Sequence, residues 1–257
     1  MQMRDKRVVV TGGSRGIGAE IVSALVREGA RVASLDVLDD LGNKVAEAAN
    51  EAGPGRATYL HCDISSRTGV DTAFERGARA MGGIDGLVNA AGIERHIDPQ
   101  DITDDDWDVL MAINVTGTFL TNQAAFRYMR EQGGRILNFG SDAGLLAYPS
   151  AAHYSASKGA VTSWTRSIAA SWGRYGITAN TIVPAMWTPM YDEHRAQFTA
   201  EELVAHDAAM AQMIAIDGRL GNPSRDLVPL IIFMLGEGSR YMTGQIISVN
   251  GGMNSTR

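Results

Sequence analysis

Short runs of apolar and β-branched residues alternate along the chain with longer segments whose apolar positions recur at helical spacing. The short runs predict strands near residues 6–11, 31–35, 57–62, 85–89, 135–140, 178–183 and 245–249, with helices between them. Runs such as Val8-Val9-Val10 are continuously apolar, which is typical of strands covered on both faces. The alternation therefore predicts an α/β fold, a doubly wound (Rossmann) seven-stranded parallel sheet with helices on both faces.

One long connection interrupts this alternation. Between Pro184 and about Asp217 the chain shows no strand pattern, and its aromatic residues and methionines are scattered among charged residues. Long connections in compact domains are usually binding loops or lids, so we expect residues 185–217 to cover a substrate. The alternative is a peripheral pair of helices that only covers the core.

Length and charge restrict the class of protein. A chain of 257 residues suits one large domain, and a net charge of −6 argues against a nucleic-acid surface. The segment Met1 to Arg7 is short and charged, and no apolar run approaches the ~20 residues of a membrane span. The single cysteine, Cys62, fits a reducing compartment as a buried, inert thiol. We therefore expect a cytoplasmic protein.

A glycine-rich turn follows the first predicted strand and precedes a helix. In Thr11-Gly12-Gly13-Ser14-Arg15-Gly16-Ile17-Gly18, glycines at 12, 16 and 18 provide a tight turn, close backbone approach and helix-on-strand packing. The helix would direct its free N–H groups at a pyrophosphate, as in dinucleotide-binding proteins. An ordinary glycine-rich turn between strand and helix is the alternative.

Tyr154 and Lys158 carry the candidate chemistry. They are four residues apart in a segment of helical period, so their side chains share one helix face. A free tyrosine titrates near ~10. Because an adjacent cation favours the phenolate, we expect the pKa of Tyr154 to be lowered, which suits a general acid or base near neutral pH.

Taken in order, these motifs resemble those of the short-chain dehydrogenase/reductase family, over nearly the whole chain. Asn89-Ala90-Ala91-Gly92 resembles the family's Asn-Asn-Ala-Gly segment, with Ala90 as a mild departure, and Ala185 stands where glycine is usual after Pro184. The resemblance implies a catalytic tetrad of Asn114, Ser141, Tyr154 and Lys158. It also implies coenzyme contacts from Gly12, Ser14, Arg15, Gly16, Ile17, Gly18, Asp36, Asp63, Ile64, Asn89, Ala90, Gly92, Tyr154, Lys158, Pro184, Thr188 and Met190.

The tetrad suggests reversible hydride transfer with Tyr154 as the general acid or base. We expect Ser141 to hydrogen-bond the substrate oxygen. The resemblance implies that Lys158 also holds the nicotinamide ribose and that Asn114 binds a water molecule in a proton relay. The alternatives are a turn-capping role for Ser141 and a packing role for Asn114.

Two charges bear on the choice of coenzyme. Asp36 ends the second strand about twenty residues beyond the glycine turn, where a carboxylate accepts hydrogen bonds from ribose hydroxyls and repels a 2′-phosphate. Arg15, in contrast, resembles the residue with which NADP-using relatives grip that phosphate. We give Asp36 the greater weight and expect NAD, with NADP as the less favoured coenzyme.

The substrate is less well defined by the sequence. Glu94, His96, Asp142 and Trp187 flank the motifs by a few residues and are candidates for the substrate pocket, whereas no histidine spacing suggests a metal site. We expect an NAD(H)-dependent oxidoreductase acting on a small secondary alcohol or its ketone. Candidate alcohols are a polyol, a cyclic alcohol or a dihydrodiol.

Three further expectations concern alternative functions and the assembly of the protein. An NADPH-dependent 3-oxoacyl-carrier-protein reductase is the alternative enzyme, and it needs a basic docking patch for which Arg127, Arg130 and Arg174 are candidates. A catalytically silent coenzyme sensor is disfavoured by the intact Tyr154 and Lys158. The predicted helix from Tyr154 to Trp172 is apolar on more than one face, and relatives of this kind are usually tetramers, so we expect a homotetramer.

Overall fold

The computed structural model describes residues 1–254 and contains a seven-stranded parallel sheet with the strand order β3-β2-β1-β4-β5-β6-β7. Each predicted strand is present, and its ends agree with the prediction to within one residue. The predicted fold class is confirmed. The strands are β1 Arg7–Thr11, β2 Arg31–Asp36, β3 Arg56–His61, β4 Gly86–Asn89, β5 Gly134–Phe139, β6 Ile177–Pro184 and β7 Ile246–Val249.

Helices cover the sheet on both faces. The larger helices are α1 Gly16–Arg27, α2 Asp39–Ala52, α3 Arg67–Met81, α4 Asp104–Met111, α5 Gly117–Met129, α6 Ala152–Trp172, α7 Pro189–Arg195, α8 Ala200–Met213 and α9 Val228–Leu235. One hydrophobic cluster joins α1, α2 and α9 to the sheet, and a second joins α3, α5 and α6 to its other face. Both faces of the strands are therefore buried, which explains their continuously apolar sequences.

The strand order reverses between β1 and β4, which lie side by side at the centre of the sheet. The chain leaves β1 toward β2 on one side and leaves β4 toward β5 on the other. Ligands of doubly wound sheets bind at the carboxyl ends of the strands near such a reversal. The loops after β1, β2, β4 and β5 all converge there.

A buried polar network fixes the carboxyl ends of β4 and β5. The Asn89 amide donates to Asn138 Oδ1 at 3.2 Å and accepts from Thr11 Oγ1 at 2.9 Å. Asn138 in turn exchanges two hydrogen bonds of 2.9 Å with Asn122 of α5 and donates to Thr165 Oγ1 of α6 at 3.0 Å. Because buried polar groups are costly when unpaired, this network holds both helices in one register against the strands.

The connection from α4 to α5 contains a turn of π-helix, Ala112–Thr116. The helix before it begins with a capping box in which Thr103 and Asp106 satisfy each other's backbone N–H groups, as the acidic sequence of this turn predicts. Asn114 lies in this π-turn rather than in a regular α-helix. Such turns insert one extra residue and redirect side chains, often at functional sites.

Residues 185–217 form α7 and α8 and contain no strand, as predicted. Neither helix has a buried residue, although Met186 before them and Ile214 after them are buried. The buried residues that hold this segment therefore lie outside its two helices. Within residues 1–254, no helix combines the length and apolar character that a membrane crossing requires.

Candidate active site

A cavity of about 430 Å³ opens at the carboxyl ends of the strands, where the strand order reverses. Loops from both halves of the sheet and the first turn of α7 form its walls. The lining residues are Gly12, 15–18, 35–38, 62–64, 90–94, Ile113, 139–141, Tyr154, Lys158, Pro184, Met186 and 188–190.

The glycine turn after β1 forms one end of the cavity. Gly12 has φ +70°, and a Cβ there would lie 2.8 Å from the backbone of Ala91. A Cβ on Gly18 would lie 2.0 Å from the carbonyl oxygen of Gly12. Gly16, with φ +54°, lines the cavity where α1 begins. Backbone N–H groups at a helix N-terminus bind anionic groups, so this cradle fits the pyrophosphate of a dinucleotide.

Asp36 lies at the end of β2, in the wall beside the glycine turn. Its carboxylate accepts hydrogen bonds from the backbone N–H groups of Ser14 at 3.0 Å, Val37 at 2.7 Å and Leu38 at 3.2 Å. These contacts fix the carboxylate against the turn. A negatively charged acceptor therefore occupies the position that the sequence predicts for ribose recognition.

Tyr154 and Lys158 lie on the inner wall, on the first turns of α6. The Lys158 ammonium donates to the carbonyl oxygen of Phe139 at 2.9 Å and lies 5.7 Å from the centre of the Tyr154 ring. Gly92 lies against the same ammonium, since a Cβ there would be 3.4 Å from Nζ. The helical spacing therefore brings the phenol and the ammonium together as predicted.

The expected direction of the Tyr154 pKa shift is wrong for this structure. Burial raises the pKa of Tyr154 above its ordinary value, the charge of Glu94 raises it further, and interaction with the Ser141 hydroxyl lowers it. Burial also lowers the pKa of Lys158 to about 8, against the opposing effect of Glu94. Desolvation disfavours the charged form of both groups, and in this wall it outweighs their proximity.

Asn114 lies behind the wall and is almost fully buried. Its Oδ1 accepts from the backbone N–H of Ile93 at 2.9 Å, and its Nδ2 donates to the carbonyl oxygen of Ile93 at 2.9 Å and to Ser157 Oγ at 3.1 Å. A Cβ on Gly92 would lie 3.1 Å from Oδ1 of this asparagine. From the π-turn, the Asn114 side chain thus fixes the loop after β4 through its two hydrogen bonds to Ile93.

Ser141 lines the cavity, but its neighbour Asp142 does not. Ser141 caps a short 3₁₀ turn, where its Oγ accepts from the N–H of Ala143 at 3.2 Å. The Asp142 carboxylate instead accepts from the amides of Asn250, at 3.2 Å, and Asn254. The turn directs consecutive side chains apart, so the sequence proximity of Asp142 to Ser141 does not place it on the wall.

The remaining substrate candidates separate in the same way. Glu94 lines the cavity, whereas His96 lies behind it, with Nε2 3.3 Å from Glu94 Oε1 and its ring stacked on His194 at 4.3 Å. Trp187 is 42% exposed, and its indole N–H donates to Asp192 at 2.9 Å, away from the wall. Within residues 1–254, no three His, Cys, Asp or Glu side chains are grouped to hold a metal ion.

Nearly all residues predicted to contact a coenzyme lie in the wall. The exceptions are Ser14, whose backbone N–H supports Asp36, and Asn89, whose side chain belongs to the buried network. The wall also contains apolar residues that were not among the predicted coenzyme contacts, although each lies within or next to a motif or a strand end: Leu35, Val37, Leu38, Ala91, Ile93, Ile113, Phe139 and Pro189. Position next to a strand end is the signal that could have found most of them.

Comparison with known proteins agrees with this geometry. The family model described as short chain dehydrogenase matches residues 6–199. The chain is 35% identical over 257 residues to 2-(S)-hydroxypropyl-CoM dehydrogenase 3 of Xanthobacter autotrophicus, covering 99% of this chain and 98% of that protein. It is 33% identical to gluconate 5-dehydrogenase of Gluconobacter oxydans, covering 96% and 94%.

A solved structure, that of levodione reductase, superimposes with a TM-score of 0.90 at 28% sequence identity and covers 97% of each chain. The chain belongs to the short-chain dehydrogenase/reductase family. It is an oxidoreductase that acts on CH–OH groups with a nicotinamide coenzyme.

The buried ammonium of Lys158 yields a stability prediction. Its pKa of about 8 lies below the ordinary value of 10.5, so the folded protein bears the cost of burying the charge below about pH 8. That cost fades as the pH rises from about 8 toward 10.5. Lys158→Met should therefore stabilise the protein at pH 7 by about 1–2 kcal/mol, net of the lost hydrogen bond to Phe139.

Urea unfolding at pH 7 and pH 9.5 measures this effect, and the gain should shrink at the higher pH. Arg166→Met is the matched control, because it removes one exposed positive charge from the same helix. An equal loss of stability at both pH values in Lys158→Met would show that the ammonium is not strained by burial.

Proposed function

We propose that the protein is an NAD(H)-dependent oxidoreductase that transfers hydride reversibly between nicotinamide and a small secondary alcohol or its ketone. One observation carries the proposal: Tyr154, Lys158 and Ser141 line the inner wall of a cavity whose other end is formed by the glycine turn and Asp36. A dinucleotide cradle and a proton-transferring phenol thus share one cleft.

When bound, a nicotinamide coenzyme supplies the hydride acceptor for oxidation of the carbinol carbon and the hydride donor for reduction. Tyr154 takes the hydroxyl proton as a phenolate in oxidation and returns it as a phenol in reduction. The Ser141 hydroxyl hydrogen-bonds the substrate oxygen and stabilises the charge that develops on it. Lys158, held by the carbonyl of Phe139, provides a fixed positive charge beside the phenol.

The charges around Tyr154 determine which form of the pair is available. Burial and Glu94 both favour the protonated phenol, which is the form that donates a proton in reduction. In oxidation the phenolate must be stabilised by the Lys158 ammonium, which predominates below about pH 8, together with the positive charge of the oxidised coenzyme. Tyr154 therefore acquires its basicity only in the loaded site.

Tyr154→Phe tests the role of the phenol. Removing the hydroxyl eliminates proton transfer but leaves the shape of the wall, so kcat should fall by about 10²–10⁴-fold on a panel of secondary alcohols. Binding of NADH, followed by its fluorescence, should be retained. Tyr148→Phe is the control, since Tyr148 is 40% exposed and outside the cavity wall. Full activity in Tyr154→Phe would refute the general acid or base role.

The coenzyme preference is proposed from Asp36. Its carboxylate is fixed by three backbone N–H groups at the wall, where it accepts hydrogen bonds from ribose hydroxyls and repels a 2′-phosphate. NAD is therefore the proposed coenzyme.

Asp36→Asn should raise the ratio of kcat/KM with NADP to kcat/KM with NAD by at least about tenfold, because it removes the repelling charge but keeps the size of the side chain. Asp39→Asn is the control, since that carboxylate is exposed and bonded to Tyr59 at 2.7 Å and His61 at 2.8 Å. Equal use of both coenzymes by the unchanged protein would contradict the assignment of Asp36.

The 3-oxoacyl-carrier-protein reductase alternative receives less support from the surface. Docking of an acidic carrier protein needs free positive charge. Arg127, however, is bonded to Asp71 at 2.9 Å, and Arg130 is paired with Glu131 at 2.9 Å. Arg174 stacks over Tyr175 at 4.9 Å. The candidate patch is thus largely neutralised by its own neighbours.

Residues 185–217 are proposed as a lid over the substrate. Thr188, Pro189 and Met190 line the cavity, whereas α7 and α8 have no buried residue. A pair of helices that only covered the core would bury an apolar face. These helices therefore suit a cover over the cleft better than a permanent part of the core.

We infer a homotetramer from the surface of α5 and α6. Phe119 packs edge-on against Trp164 at 5.5 Å, and Phe126 lies 4.7 Å from Trp172, so partly buried aromatic rings run along both helices. Such rows of partly exposed aromatic residues favour contact between subunits.

Light scattering should give a mass of about 110 kDa, four times the 27.5 kDa of one chain. Trp172→Glu should lower this mass by placing a charge in the aromatic row, while Ser167→Glu, exposed on the same helix, should not. A mass of about 27.5 kDa for the unchanged protein would refute the tetramer.

A further inference from the structure

An ion pair at the edge of the cavity wall joins the glycine turn to α7. Arg15 Nη1 donates to Glu193 Oε1 at 2.9 Å, and the two side chains are 45% and 61% exposed. The chemistry proposed above uses neither charge. Arg15 nevertheless lines the cavity, so its partner decides how much of its positive charge is available to a bound molecule.

We propose that Glu193 is a specificity-determining residue that holds Arg15 away from a 2′-phosphate and thereby favours NAD(H) over NADP(H). This inference rests on the proposed function, because it concerns the coenzyme of that same site. Asp36 repels the phosphate directly, whereas Glu193 removes the attraction that Arg15 would otherwise provide.

The positions of the three charged residues support this division. The backbone N–H of Ser14, the neighbour of Arg15, donates to Asp36 at 3.0 Å, so Arg15 and Asp36 are adjacent in the wall. The long Arg15 side chain can therefore reach a phosphate that is bound beside Asp36. Asp36 and Glu193 contribute two negative charges to this region and Arg15 one positive charge, so the three side chains together are negatively charged.

The same pair joins the glycine turn to the proposed lid. A Cβ on Gly16 would lie 3.7 Å from Pro189 and 4.0 Å from Thr188, so the start of α7 already packs on the turn. Glu193 lies one helical turn beyond Pro189. A phosphate that drew Arg15 to itself would have to break this second tie between α7 and the turn, which adds to the cost of binding NADP(H).

The expected size of the effect is modest. Exposed ion pairs are weak, and removing a nearby negative charge also reduces repulsion of the phosphate. Together these effects correspond to a change of about three- to tenfold in the dissociation constant for NADPH. Because both side chains are exposed, the effect should diminish at high salt.

Fluorescence titration of the whole protein with NADH and with NADPH tests the inference without any need for turnover. In Glu193→Gln, the dissociation constant for NADPH should fall by about three- to tenfold, and that for NADH should stay within about twofold. Glu201→Gln is the matched control, since it removes an exposed acidic charge from α8 of the same segment.

A double-mutant cycle then assigns the gain to Arg15. Glu193→Gln should have a clearly smaller effect on NADPH binding in an Arg15→Gln background, because the released attraction is absent and only the reduced repulsion of the phosphate remains. An unchanged ratio of the NADPH and NADH dissociation constants in Glu193→Gln, or an equal gain in NADPH affinity in Glu201→Gln, would overturn this inference. Either result would leave the proposed function standing. If neither coenzyme bound the unchanged protein, the inference and the proposed function would fall together.

Discussion

The close approach of β1 and β4 is the constraint on which the candidate site depends. At the reversal of strand order the chain leaves these two strands toward opposite sides of the sheet, and a cleft opens between their following loops. The loops nearly touch, since a Cβ on Gly12 would lie 2.8 Å from the backbone of Ala91. Only a residue without a side chain permits this approach. The approach places the glycine turn in the wall of the same cavity as Tyr154 and Lys158.

The polar network beneath the cleft supports this arrangement. Asn89 and Asn138 end adjacent strands, and their amides connect to Asn122 of α5 and Thr165 of α6. α6 also carries the tyrosine and lysine of the wall, so the network fixes the helix at Thr165, about two turns beyond Lys158. A buried network that is fully paired holds its partners in one arrangement, which is what a precisely placed phenol requires.

Much of the fold and of the site could be predicted from the sequence. Apolar runs located every strand to within one residue, because parallel strands buried on both faces have a distinct composition. The motifs also identified most of the cavity wall, since motif residues at strand ends converge in this topology.

What could not be predicted depends on side-chain direction and on desolvation. Asp142 follows Ser141 in the sequence, yet a 3₁₀ turn directs it to Asn250. The pairing of Arg15 with Glu193 joins residues 178 positions apart, which no local pattern records. The pKa of Tyr154 is raised mainly by burial of its side chain, a property of the packed wall rather than of the Tyr-x-x-x-Lys spacing.

Glu94 shows how these effects combine in the wall. Its charge raises the pKa of Tyr154 and also raises that of Lys158, in opposition to the burial that lowers the latter. The same carboxylate thus helps to keep the ammonium charged and opposes formation of the phenolate. Burial and Glu94 therefore both favour the protonated form of Tyr154. In the proposed mechanism, oxidation of an alcohol would need a further positive charge at this wall, which the oxidised coenzyme would supply when bound.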